Sequence, residues 1–547
     1  MNWKTWRLPL LGLAAFLLAF EIYSPALGGP FVLDDLYLPF NYADAATMPF
    51  RLWLAGQRPV LMLSYWLNYQ VSGVASTDSY HTVNVLLHLV NAVLVWAIVK
   101  RLSRNEAVSL VAAGVFLAHP LMTEAVAYVA SRSDVLSTFF CYAAFLLFLR
   151  ARDTGLSWAA SARILALFVL GLLSKEHSAV LPAVFLATDF LLGGVGAIRS
   201  NLRLHGPVIA LGALGGAYVA SRLLEADTAG FGMAGLGPLD YFHTQCRVIW
   251  HYLRLFVLPL GLNVDPDFAI ARTPGLGLAG LAALAVAAIY LRKRAPLIAL
   301  GIAVFLILLA PTSSFVPIRD VAAERRMYLP FVGLMLVLAG IVEYVKPAAT
   351  AVAWGGAAVV ILLGMATHAR AKVWSSEILL WEDTVAQSPN KWRPRFQLAD
   401  AYFQARRYDA ANREFERAAA IDAKDPRLFV NWGISLDTMG DSDKALSKLQ
   451  QVARLENTAH TQSLIGMVHG KQGRVDAALE ALAEGEKLDP SFGGTYVNRG
   501  NVYASRSDWQ QACPQFHRAL RLDPHSEGAR NGLRLYAQNG VPADSRK

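Results

Sequence analysis

The sequence predicts an all-α protein: a polytopic bundle of membrane-spanning helices followed by a solenoid of helical repeats. Three observations predict it. Of 547 residues, 55% are apolar and only 17% charged, with a mean hydropathy of +0.36, where soluble chains are about 25% charged. The charge is uneven: residues 1–367 hold 25 Lys+Arg and 19 Asp+Glu, and residues 368–547 hold 25 and 22 in half the length. The last third repeats itself about every 34 residues. Together these exclude a single soluble globule, a disordered chain and a secreted disulfide scaffold. Cys141, Cys246 and Cys513 lie far apart and form no CxxC pair, which argues against both zinc and a disulfide framework. The net charge of +9 gathers between apolar stretches, where membrane topology explains it better than nucleic acid does. The lipid bilayer is therefore an expected partner and nucleic acid is not.

A spanning helix needs about 20 mostly apolar residues. Candidate spans fall near 7–27, 81–100, 106–119, 134–150, 161–174, 178–195, 206–222, 275–291, 296–311, 327–345 and 350–367, about eleven in all. The stretch 240–260 carries His243, Gln245, Arg247, His251 and Arg254, so it reads as an amphipathic interfacial helix rather than a twelfth span. The first stretch has Lys4 and Arg7 on its flank but no A-x-A site, and ten more spans follow, so it reads as an uncleaved helix. The membrane domain thus covers 1–367. Residues 368–391 read as a linker with a degenerate half repeat around Trp381 and Pro389, 392–525 as four repeats, and 526–547 as a capping helix and tail.

Basic residues in short loops set orientation. With the N-terminus in the cytoplasm, the loops on that side hold Lys100, Arg101 and Arg104; Arg150, Arg152 and Arg163; Arg199 and Arg203; Arg292, Lys293 and Arg294; and Lys346. Eleven spans then put the repeats outside, whereas a twelfth would put them in the cytoplasm. The opposite loops mix signs near span ends: Asp34, Asp35, Arg58, Glu124, Arg132, Asp134, Lys175, Glu176, Glu324, Arg325 and Arg326. Charge at membrane depth is costly and marks a lined cavity more often than a solvated loop when several loops share it.

In the repeats a small residue recurs at Ala399, Gly433, Gly466 and Gly500, an alanine twelve residues later at Ala411, Ala445, Ala478 and Ala512, and a bulky residue four further on at Phe415, Leu449, Leu482 and Phe516. The small residues are needed where paired helices approach closely, and the bulky ones fill the grooves. The pattern resembles the tetratricopeptide repeat, an array that captures extended peptides or partner proteins.

Several outer motifs carry chemistry-bearing residues. The first outer loop reads FVLDD over 31–35 and is followed by Arg58-Pro59. His81, Asn84 and His88 share one helical face; without a third ligand nearby, helix–helix hydrogen bonding is favoured over a metal. HPLMTEAVAYVASRSD runs from His119 to Asp134, SKE covers 174–176, and AERRMYLP covers 323–330.

This order of motifs, closed by the repeats, resembles the transmembrane and tetratricopeptide-repeat O-mannosyltransferases of the glycosyltransferase C superfamily. The resemblance implies an inverting transfer of a hexose, mannose foremost, from a polyprenyl-phosphate-linked donor to a Ser or Thr hydroxyl of a protein on the non-cytoplasmic face. The repeats would recruit the acceptor or a partner. It places the catalytic carboxylate at Asp35, with Asp34 as the alternative. Arg58, Arg132, Lys175 and Arg325 become candidates for the leaving phosphate, and His81, Asn84 and His119 for sugar or phosphate oxygens. Glu124, Glu176 and Glu324 would orient the cations. No cofactor is required, and a divalent cation on the Asp pair is left open. Short loops and few repeats favour a bacterial inner membrane with periplasmic repeats over an endoplasmic reticulum membrane with luminal ones. A transporter or flippase would instead show related halves with interrupted helices, and a scaffold anchored by many spans would leave the charged loops without a purpose.

Overall fold

The computed structural model describes residues 3–73, 76–223 and 235–538. The described residues are helical with short connections and form no sheet. The chain divides into two compact units, Met1–Gln387 and Ser388–Lys547. The expected linker and half repeat is therefore split: the helix Glu377–Gln387 belongs to the first unit. Its Leu380 is buried with Ala26, Val32, Tyr128 and Trp374, and Gln387 Nε2 donates to Leu262 O at 2.8 Å.

All eleven stretches expected to span are helices, and 238–257 forms a helix of its own. Among the described residues, five helices meet both length and hydropathy for a crossing, or six if the bent pair Glu106–Ala118 and Pro120–Ala127 counts as one. Trp158–Leu172, Gly275–Leu291, Pro296–Leu309 and Phe331–Val345 are apolar but shorter. At 1.5 Å per residue they reach about 21–26 Å, short of a ~30 Å hydrocarbon core unless flanking residues contribute. The bend of 52° falls at His119-Pro120, where proline removes a backbone donor. The helix Asp78–Ser103 ends with Lys100 and Arg101 in its last turn and Arg104 in the left-handed region, so cations meet the negative end of the dipole. The helix Pro238–Val257 buries Tyr241, Gln245, Val248 and Tyr252 and leaves Arg247, Trp250 and Arg254 exposed, an amphipathic division.

Small residues allow the closest contacts. A Cβ on Gly333 would lie 2.5 Å from Phe305 N, and one on Gly301 2.6 Å from Gly333 O, so Pro296–Leu309 and Phe331–Val345 touch backbone to backbone. Polar groups tie the bundle below the outer loops. Tyr328 OH meets His88 Nδ1 at 2.8 Å and accepts from Asn91 Nδ2 at 3.1 Å. Tyr142 OH donates to Leu329 O at 2.8 Å. These bonds fix the segment that carries Arg325.

The second unit is four helix pairs, from Trp392–Gln404 with Tyr408–Ile421 to Gly493–Ser505 with Trp509–Leu522, then the helix Glu527–Gln538. The tail beyond Gln538 lies outside the described residues. The small-to-large pairing read from the sequence is physical contact: Cβ atoms on Gly433, Gly466 and Gly500 would sit 3.0, 2.5 and 2.6 Å from Leu449, Leu482 and Phe516. Phe516 also presses on Gly532 of the capping helix, so it closes the groove to the next element. Cys513 is half-buried.

Candidate functional site

Asp34 and Asp35 lie in one turn of 3₁₀ helix, Leu33–Tyr37. Three residues per turn sets neighbours about 120° apart, so one side chain faces in and the other out. Asp35 is the inward one, fully buried. Its Oδ1 accepts from Ala130 N at 2.6 Å and its Oδ2 from Val32 N at 3.1 Å. Burial raises its pKa to about 7, against the pull of those two N–H donors. Asp34 is exposed; its backbone N–H donates to Tyr128 OH at 2.9 Å, which leaves the carboxylate turned outward. The expectation that Asp35 is the reacting carboxylate meets a physical obstacle: Oδ1 holds the 128–131 turn against the first outer loop, Oδ2 is taken by that loop's own Val32 N–H, and no solvent reaches the group. Asp34 is the accessible acid. With Asp35 so engaged, the pair offers a cation one carboxylate rather than two. Among the described residues no group of three or more His, Cys, Asp or Glu side chains converges on a point.

Three of the four expected cations stand part-exposed, each on its own carboxylate. Arg58 makes a two-pronged pair with Glu176, Nε to Oε1 and Nη2 to Oε2, both 2.8 Å. Lys175 Nζ donates to Asp134 Oδ2 at 2.6 Å. Arg325 is bonded through Nη1 and its backbone N to Glu124, whose side chain is 1% exposed. Glu124 and Glu176 thus each pair with one of these cations. Lys175 lies within electrostatic range of both Arg58 and Arg325, and Tyr128 within range of Asp34 and Arg325. Burial, reinforced by Arg58 and Arg325, draws the Lys175 ammonium below its usual range although Asp134 opposes it. Each cation is matched by one carboxylate and stays part-exposed, so the cluster presents fixed hydrogen-bond donors rather than unpaired charge.

The other expected residues are spent in the core. Arg132 is wholly buried: Nε donates to Asn84 Oδ1 and Nη2 to Asn68 Oδ1 and Tyr80 O, each at 2.9 Å. Nη1 reaches Ser64 O at 3.3 Å, and the guanidinium lies over the Tyr65 ring at 4.6 Å. Four of its five N–H groups are used, so it braces helices rather than meeting a ligand. Asn84 also donates to Val126 O and Tyr128 O at 3.3 Å. His81 Nε2 meets Gly29 O at 3.2 Å. His119 uses both nitrogens, on Phe256 O and Leu121 N. Glu324 turns away from the cations and accepts from Asn263 N; burial, outweighing nearby Arg370, raises its pKa to about 8. The histidine face therefore serves helix contacts, as the spacing suggested. Asp134 was visible only as one outer charge. It is the partner of Lys175 and lies 3.8 Å from His177 Nδ1; its place in SRSD, one turn into a helix, was the available signal. Tyr128 gave none.

Comparison with known proteins places these motifs in context. Residues 57–222 match the family model described as dolichyl-phosphate-mannose-protein mannosyltransferase. The chain is 25% identical to a Caenorhabditis elegans protein O-mannosyl-transferase over 69% of its own length and 57% of the relative's. It is 23% identical to human protein O-mannosyl-transferase TMTC3 over 85% of its length and 57% of the relative's. A Drosophila melanogaster relative, Tmtc2, is 32% identical over 36% of this chain and 23% of its own. The chain thus spans at most 57% of the length of these curated relatives. Among solved structures, the tetratricopeptide-repeat protein YrrB aligns with 30% of this chain and 81% of its own at 21% identity and a TM-score of 0.25.

Proposed function

We propose that the protein is an inverting glycosyltransferase that moves a hexose, mannose foremost, from a polyprenyl-phosphate donor to a Ser or Thr hydroxyl of a protein on the non-cytoplasmic face. The observation that carries this reading is the trio Arg58, Lys175 and Arg325, each part-exposed and each fixed by a carboxylate of its own, with Tyr128 within electrostatic range of both Arg325 and the outward Asp34. Carboxylates that hold the cations in place pre-organise donors for a developing phosphate charge and remove the cost of ordering them at the moment of reaction. In the transfer, the acceptor oxygen bonds to the anomeric carbon as the bond from that carbon to the phosphate oxygen breaks. The electron pair leaves with the polyprenyl phosphate, and the hydroxyl proton passes to Asp34. The similarity to proteins named O-mannosyl-transferases supports the sugar and the protein acceptor.

The test is transfer by the purified full chain, in detergent, from radiolabelled mannosyl-phosphoryl polyprenol to Ser- and Thr-containing peptides. Label appearing in peptide, released by base-catalysed β-elimination, supports the reading. Donor that binds without transfer to any hydroxyl overturns it. Mass spectrometry of outer-face proteins from cells with and without the gene then identifies the acceptor by its lost hexose.

A further inference from the structure

The four repeats share one plan, so each is a control for the others. Where the first helix of a repeat turns into the second, one residue takes a left-handed backbone: Arg406, Gly440, Gly473 and Ser507, with φ of 59°, 88°, 73° and 61°. Glycine adopts this region without strain, whereas a side chain there is disfavoured. The next residue caps the second helix. Asp441 and Asp508 do so with their carboxylates, accepting from Lys444 N and Gln511 N, while Arg407 and Arg474 make no such bond, Arg474 reaching Asp443 of the preceding repeat instead. The first repeat therefore places arginine at two successive positions where local stability favours Gly and Asp.

The groove between neighbouring turns differs in the same place. Between the second and third repeats it is bridged: Asp443 Oδ1 accepts from Gln472 Nε2 at 3.0 Å and from Arg474 Nη2 at 3.2 Å. The corresponding acid of the first repeat is Asp409. The residues that correspond to Gln472 and Arg474 are Met439 and Asp441, a thioether and a second acid, so that bridge cannot form. What remains is a cavity of about 380 Å³ lined by Tyr402, Arg406, Arg407, Tyr408, Arg413 and Met439, with Asp409 in its wall. Arg413 stands where the second repeat has Ser447. Arg406, Arg407 and Arg413 are exposed, and none has an acidic partner among the described residues.

We propose that this cavity, at the turn edge of the first repeat, binds the clustered carboxylates of an acidic peptide segment. Three planar guanidiniums on one rim match carboxylates in the two-pronged geometry that lysine cannot offer. The two phenol rings and the thioether supply apolar contact for side-chain stems. Asp409 decides the class of ligand: a peptide brings backbone N–H donors that an acid can accept, whereas a free anion or a lipid headgroup phosphate brings acceptors only. The site stands on the comparison between repeats and does not depend on the transferase reading.

The test measures fluorescence anisotropy of a labelled Asp-Gly octapeptide on the full chain in detergent, with the matched Asn-Gly peptide as control. Arg406→Gly and Arg413→Ser install the residues of the second repeat, and Arg406→Gly keeps or raises the unfolding temperature because it relieves the left-handed strain. Each variant weakens the aspartate peptide at least tenfold, and binding falls steeply with salt while the asparagine peptide does not bind. Parent-like affinity in the folded double variant overturns the site, as does equal binding of the two peptides. Retention of inorganic phosphate or of phosphatidylglycerol vesicles through these arginines, without the peptide, overturns the ligand class.

Discussion

At the scale of single residues, the adjacent acids carry opposite roles. Asp34→Asn keeps the fold and donor binding and removes the group that accepts the hydroxyl proton; transfer falls by about 10² to 10⁴. Asp35→Asn satisfies only one of the two N–H donors from Val32 and Ala130, so it costs about 1–3 kcal/mol of stability and leaves turnover in the folded fraction. Turnover by folded Asp34→Asn at the parent rate would remove Asp34 from the reaction. The raised pKa values of Asp35 and Glu324, about 7 and 8, fix the sign of a pH effect. Between about pH 4 and those values the folded state holds protons that the unfolded state has released, so unfolding sheds protons and rising pH favours it. Their stabilisation is complete below about pH 4 and is lost as pH rises through 7 and 8. One unit is about 1.4 kcal/mol, so each step is on the order of a few kcal/mol. The thermal midpoint should fall from pH 5 to 8, with a shallower fall in Asp35→Asn and in Glu324→Gln; identical slopes in all three would refute the linkage. The sequence showed that two acids stood together, but it did not show which faced inward. That is set by the 3₁₀ turn and by Ala130, 95 residues away. Long-range partners likewise separated Arg132, consumed by two neighbouring helices, from Arg58 and Arg325, although all three are arginines in outer motifs.

At the scale of elements, periodicity was the more informative signal. Every apolar stretch became a helix because its length and composition leave the backbone no other way to satisfy its polar groups in lipid. The sixteen-residue step from Gly433 to Leu449 and from Gly500 to Phe516 became contact because it joins the two helices of one repeat. The backbone contact at Gly301 and Gly333 was illegible, since glycines are scattered through the membrane stretches and only packing tells tight ones from free ones. Gly333→Val drives a branched side chain toward Phe305 N and Gly301 O, which cannot yield as a flexible side chain would. Overpacking costs about 1–3 kcal/mol in ordinary cores, and a backbone clash lies at or beyond the upper end. Gly12→Ala, with nothing within 4 Å, is the matched control and should leave the thermal midpoint within about a degree or raise it, since alanine is the better helix former. Equal behaviour of the two variants would mean that the helices Pro296–Leu309 and Phe331–Val345 pack less closely than described.

For the whole molecule the open question is on which side of the membrane the repeats stand, and charge and helix geometry bear on it together. The basic links at Lys100–Arg104, Arg150–Arg152 and Arg292–Arg294 favour the cytoplasm by the positive-inside rule, which sends the mixed-sign loops with Asp34, Arg58, Lys175 and Arg325 to the opposite face. The parity of crossings then decides the rest. The helix Pro238–Val257 is the element that could change it. Its exposed Arg247 and Arg254 would face hydrocarbon in a crossing, at about 2.5–3.5 kcal/mol for each arginine near the centre. Lying in the interface, the same helix keeps both in the headgroup region and buries Tyr241, Val248 and Tyr252. The energetic preference is therefore for an interfacial Pro238–Val257, which with the eleven expected crossings would put the repeats outside, on the side where the proposed acceptor hydroxyl arrives. A reporter active only in the cytoplasm, fused after Lys547, should be silent, and one fused after Arg294 should be active. Activity after Lys547 with activity retained after Arg294 would place an additional crossing downstream of Arg294. Silence after Arg294 with activity after Lys547 would instead make Pro238–Val257 a span, put the repeats in the cytoplasm, and separate them by the bilayer from the hydroxyl they are proposed to deliver.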